Sequence, residues 1–163
     1  MQYIAPIGVG VLYALLMSLV REPHRRRLNA LMVGGAGAAY LSGGGLGGWE
    51  FAFTALLTYV AFRGLESWTW IGAGWLLHTV WDVVHHIKGN PIIPFAHTSS
   101  MGCAICDPVI AVWCLRGGPS LIAWARNRRW PGQRHPDATT DVDSGSETAG
   151  PDRAVTPASA TPG

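Results

Sequence analysis

Residues 78–86 read HTVWDVVHH, three histidines and an aspartate inside an otherwise apolar stretch. Imidazole and carboxylate are ligands for zinc and non-haem iron, and both can move protons. A helix turns about 100° per residue, so His78, Asp82 and His85, spaced i, i+4, i+7, share one stripe. His86 falls at the edge of that stripe. A second group follows: Cys103, Asp107 and Cys114 lie at i, i+4, i+11 on one helical face, with Cys106 flanking it. Thiolates add affinity for zinc or copper. The chemistry expected of this set is a divalent-metal site, zinc or iron. Its candidate ligands are His78, Asp82, His85, His86, Asp107, Cys103 and Cys106. Asp82 and Asp107 are the catalytic candidates, each as ligand or general base. Zinc would lower the pKa of bound water for hydrolysis, and iron would support oxygen chemistry.

Each group also has a structural reading. His78 and Asp82 could pair to hold helices together. His85 and His86 could sit at an interface, and the cysteines could be small packing residues. A lone Cys-x2-Cys is weak as a zinc signal. Asp107-Pro108 could be a helix cap followed by proline at the first helical position. The box DVVHH differs by one residue from the H-x2-H-H box of membrane di-iron hydroxylases, but the further histidine boxes of those families do not follow.

The elements that must position these residues are expected to be helices spanning a membrane. A span needs about 20 mostly apolar residues. Segments 3–20, 28–48, 49–65, 68–87 and 99–116 fit to varying degrees, giving an all-α polytopic bundle of about five spans. Glu50 is the sole formal charge between residues 28 and 62. Arg21, Arg25, Arg26 and Arg27 cluster between the first two segments. By the positive-inside rule they predict a cell-membrane protein with its N-terminus outside and its C-terminus cytoplasmic. The short 88–98 connection should fold the fourth and fifth helices into a hairpin, bringing Asp107 level with His78 and Asp82 and carrying His97 over the site. Glu50 opens the third segment on the same side. Small residues at Gly43-x3-Gly47 and Gly44-x3-Gly48 suit close helix approach, although a broken or re-entrant segment is the alternative for 28–48.

Beyond residue 116 the composition changes. Segment 117–130 reads as a basic interfacial helix, with Leu121, Ile122 and Trp124 toward lipid and Arg126, Arg128 and Arg129 at headgroups. Residues 131–163, rich in Pro, Ser, Thr, Asp and Gly, are expected to be disordered. The net charge of +2 says little about partners, and no basic patch interleaved with aromatics points to nucleic acid. Three cysteines make no disulfide framework. The start, MQY, lacks a basic n-region, and no lipidation motif is present.

The stretch WLLHTVWDVVHHIKGNPIIPF followed by SSMGCAICDPVIAVWC resembles a family of small bacterial and fungal integral membrane proteins of unknown function, over roughly residues 3–116. The resemblance implies a multi-span protein and brings no activity with it. Three functions therefore stay open: a metal-dependent enzyme acting on a lipidic or small-molecule substrate at the bilayer, a proton or metal-ion transporter component, and a structural subunit. The absence of an internal repeat weighs against a transporter.

Overall fold

The computed structural model describes residues 3–42, 44–93 and 96–129. The segment expected to be disordered, 131–163, lies outside the described residues. Six α-helices are described: α1 (Ile4–Met17), α2 (His24–Ala38), α3 (Gly48–Gly64), α4 (Trp68–Lys88), α5 (Ser99–Leu115) and α6 (Leu121–Arg129). A 3-10 turn, Ala39–Ser42, follows α2. The all-helical expectation stands, but its membrane-spanning part is corrected: among the described residues, no helix is long and apolar enough to cross a membrane. The physical reason is length against polarity. At 1.5 Å per residue, about 20 residues cover a hydrocarbon core of about 30 Å. α1 has 14 residues, α2 15, and α3 and α5 17 each. α4 has 21, but it carries His78, Asp82, His85, His86 and Lys88. The membrane and transmembrane descriptions fall with the spans.

The packed pairs α2–α3, α3–α4 and α4–α5 run antiparallel. α4 is the central element, packed by α5, α3 and α2, and α1 lies along α5. The apolar core runs through the lower half of α4 and its neighbours: Val33 from α2, Leu57 and Val60 from α3, Ile71 and Trp75 from α4, and Ile110, Ala111 and Trp113 from α5. Trp75, Trp81 and Trp113 act as packing residues. Trp81 stacks on Phe53 with ring centres 4.4 Å apart, and Trp113 meets Trp68 edge-on at 5.5 Å. α1 buries only Gly10 and Ala14 and leaves Ile4, Leu12 and Leu16 more than half exposed. Its apolar composition is therefore only partly used for burial, and exposed apolar faces of this kind are typical of contact surfaces.

Gly10 sets how closely α1 approaches α5. A Cβ there would lie 2.9 Å from the Cys106 carbonyl oxygen and 2.9 Å from Val109 Cβ. Gly10→Val is expected to destabilise the bundle by about 1–3 kcal/mol through overpacking. Denaturant titration checks this; an unchanged midpoint would show that α1 can lift away without cost.

The segment expected as a second span is not one helix. α2 ends at Ala38, the 3-10 turn follows, and the glycines form a loop before α3. Gly44 is glycine because a Cβ would overlap the Glu50 carboxylate and the Tyr40 carbonyl. Gly44 lets the loop close over the buried Glu50 carboxylate, while Gly43 of the expected small-residue pair lies outside the described residues. Pro108 lies inside α5, not at its start. In α6, Leu121 packs on the core, while Arg128 sits 4.1 Å over the ring of the exposed Trp124.

Candidate metal centre

The upper half of α4 carries the polar stripe. His78, Asp82 and His85 are all buried there, with exposures of 3 %, 0 % and 0 %. Unpaired polar groups at such positions are costly, so their partners define the site. The α4–α5 hairpin brings Asp107, also buried, against the first two. His78 Nδ1 lies 2.8 Å from Asp107 Oδ2 and 3.0 Å from Asp82 Oδ2. The other ring nitrogen, Nε2, lies 3.1 Å from the Ala36 carbonyl oxygen at the end of α2 and donates its proton there. One potential ligand atom from each of His78, Asp82 and Asp107 falls within a 4.8 Å cluster.

Hydrogen-bond accounting exposes a deficit in this cluster. A proton on Nδ1 is donated to Asp107. Asp82 Oδ2 is near the same nitrogen but badly aligned, and it is left buried with no hydrogen-bond partner. The other Asp82 oxygen, Oδ1, accepts from the Tyr40 hydroxyl. Tyr40 has a single proton to give, so Ser100 Oγ, 3.1 Å away, donates back to the Tyr40 oxygen. Ser100 Oγ also accepts the Ile92 N–H at 3.0 Å, which ties the 88–98 connection to the cluster.

The electrostatics follow from this geometry. Burial alone would lower the pKa of His78, but the hydrogen bond to Asp107 and the nearby charges of Asp107 and Asp82 outweigh it and raise the value to about 10. Burial raises Asp107 to about 6, against the opposing pull of His78. Both groups therefore hold protons more tightly in the folded state than in the unfolded chain. For these two groups the native state binds more protons between the unfolded and folded pKa values, so their contribution to stability falls as pH rises. Metal-free protein is expected to lose stability between pH 3.8 and about 6 through Asp107, and again between 6.5 and about 10 through His78. Unfolding midpoints measured against pH in the presence of chelator check this; a midpoint rising across the upper window would contradict it.

The remaining sequence candidates are placed elsewhere. His85, one turn above Asp82, meets Glu50 from the first turn of α3, with Nε2 2.8 Å from Oε1. Its Nδ1 donates to the Trp81 carbonyl at 3.1 Å, and Trp81 Nε1 donates to the other Glu50 oxygen at 3.1 Å. The Leu46 N–H completes this second cluster at 3.2 Å. His86 is half-buried and lines a cleft between the N-terminal ends of α1 and α5. Cys103 and Cys106 line the same cleft. Burial first, and then the neighbouring aspartates, push the Cys103 thiol up to about 12 and Cys106 up to about 11. Neither thiol is in the His78 cluster. His97 is exposed in the connection and does not cover the site. Sequence reasoning missed Tyr40 and Ser100. Tyr40 carried no signal beyond being a lone polar-tipped aromatic in a glycine-rich stretch. Its ring stacks on His85, centres 3.9 Å apart, so it joins the two polar clusters.

The fold and site together define an all-helical bundle with a buried histidine–aspartate cluster. The chain belongs to the family of unknown function DUF6010, whose model matches residues 1–120. The family match spans all of the candidate site. No curated protein matches the chain, and no solved structure matches it. The resemblance to an uncharacterised family therefore holds, while the integral-membrane character it implied is not supported.

Proposed function

We propose that this chain is a metal-dependent enzyme whose single divalent cation is held by His78, Asp82 and Asp107. The observation that carries this reading is Asp82 Oδ2, fully buried 3.0 Å from His78 Nδ1 but without a hydrogen bond, because the proton on that nitrogen goes to Asp107 Oδ2. A cation at that point would satisfy the oxygen and replace the proton on Nδ1. The outer shell supports the reading. Metal-bound histidines commonly donate their second nitrogen to a backbone carbonyl, as His78 does to Ala36, and metal-bound carboxylates are themselves hydrogen-bonded, as Asp82 is by Tyr40.

One nitrogen and two carboxylate oxygens, without sulfur, suit zinc in a catalytic arrangement of three protein ligands with a position left for water or substrate. Such a metal supplies Lewis acidity and a water of lowered pKa, the chemistry of hydrolysis. Tyr40 fixes the Asp82 carboxyl, Ala36 fixes the tautomer and orientation of His78, and the surrounding core excludes bulk water. Titration of chelator-stripped protein with Zn²⁺ should give one site per chain, and His78→Ala should abolish it while the helical circular dichroism is retained. Equal binding by the wild type and His78→Ala would sink the assignment.

The Glu50–His85 cluster reads differently. Both Glu50 oxygens and both His85 nitrogens have partners, which suits a pin joining α3, α4 and the glycine loop rather than a ligand site.

A further inference from the structure

The cleft beside the candidate metal centre has a volume of about 480 Å³. It lies between the N-terminal ends of α1 and α5 and the C-terminal end of α4, and its walls are mostly apolar: Pro6, Val9, Ile92, Met101 and Ile105 among them. Beside it, Gly10 lets α1 touch α5 at Cys106. Cys103 and Cys106 line the cleft, one turn and one residue before Asp107 on α5. The cleft is thus mostly apolar and adjoins the cluster through α5, although none of His78, Asp82 and Asp107 lines it.

Small-molecule sites commonly occupy about 300–1,000 Å³, lined mainly by apolar side chains with a few polar groups at one place. At about 30 Å³ per water-sized group, this cleft holds roughly 16 such groups, the bulk of one linear chain of about ten to twelve carbons with a small head. We propose that the cleft binds a single-chain amphiphile, its alkyl or acyl chain against α1 and α5 and its uncharged head at Cys103 and Cys106. This rests on the metal-enzyme reading only in assigning that amphiphile as substrate. Two carboxyl groups behind the thiols disfavour an anionic head in metal-free protein.

Gly102 offers a clean test. It lines the cleft, and a Cβ added there meets no atom within 4 Å. Gly102→Phe should therefore fill the cleft without disturbing the helix packing. Calorimetric titration of metal-free protein with 1-decanol should show one site, weakened at least tenfold by Gly102→Phe, with Zn²⁺ stoichiometry unchanged in that variant. Asp107→Asn should lose Zn²⁺ but keep 1-decanol binding, so failure of the metal site and failure of the chain site are separable. Absent 1-decanol binding, or binding untouched by Gly102→Phe as adsorption to the exposed face of α1 would give, overturns the proposal. Decanoate binding more tightly than 1-decanol to metal-free protein overturns the assignment of an uncharged head.

Discussion

Asp82→Asn is expected to cost at least about 100-fold in Zn²⁺ affinity, the upper end of what the loss of an outer-shell partner costs and a lower bound for a ligand. The same change should stabilise the metal-free fold by about 1–3 kcal/mol, because it removes one of two buried carboxylates that compete for a single His78 N–H, the one left without a hydrogen bond. Asparagine keeps an oxygen for Tyr40 and can turn its amide toward Asp107, so the cluster becomes self-sufficient. The two effects have opposite signs, which a purely structural role for Asp82 does not produce. Zinc titration and urea denaturation in chelator, on the same preparation, read both. A large loss of metal-free stability would mean that Asp82 is a structural pin and not a group kept at a cost for a ligand.

Glu50→Ala is expected to act almost wholly on stability. It strands His85, which is fully buried, together with the Trp81 indole N–H and the Leu46 amide. Breaking a buried pair by removing one partner costs about 3–5 kcal/mol. Glu50→Gln, which keeps an acceptor, should recover part of that loss. Zinc affinity of the folded fraction should stay close to wild type, because His85 and Glu50 do not enter the His78 cluster. Loss of zinc binding in a folded Glu50→Gln protein would place Glu50 in the metal site after all.

Helical phase was the part of the site legible in the sequence. The i, i+4 spacing of His78 and Asp82, and a connection too short for anything but a hairpin, were enough to bring Asp107 to them. The phase could not say which neighbour each residue on the stripe would meet. His85 shares the face but stands a turn higher, where Glu50 from the first turn of α3 takes it. His86, 100° away, turns into the cleft. Tyr40 was illegible because it reaches the site only through the break after Ala38, which periodicity read as a continuous helix. The membrane reading failed for a related reason. Apolar content over 28–48 counted a helix, a 3-10 turn and a glycine-rich loop as one span, and the other segments fold into helices too short or too polar to cross.

The central claim is that one nitrogen and two carboxylate groups of this bundle hold a metal. X-ray absorption fine structure on zinc-loaded protein reads that shell directly. The account predicts only light-atom ligands at roughly 2.0–2.2 Å, with an imidazole signature from one histidine that vanishes in His78→Ala. A sulfur shell near roughly 2.3 Å would move the metal to Cys103 and Cys106 in the cleft, and a shell unchanged in His78→Ala would contradict the site outright.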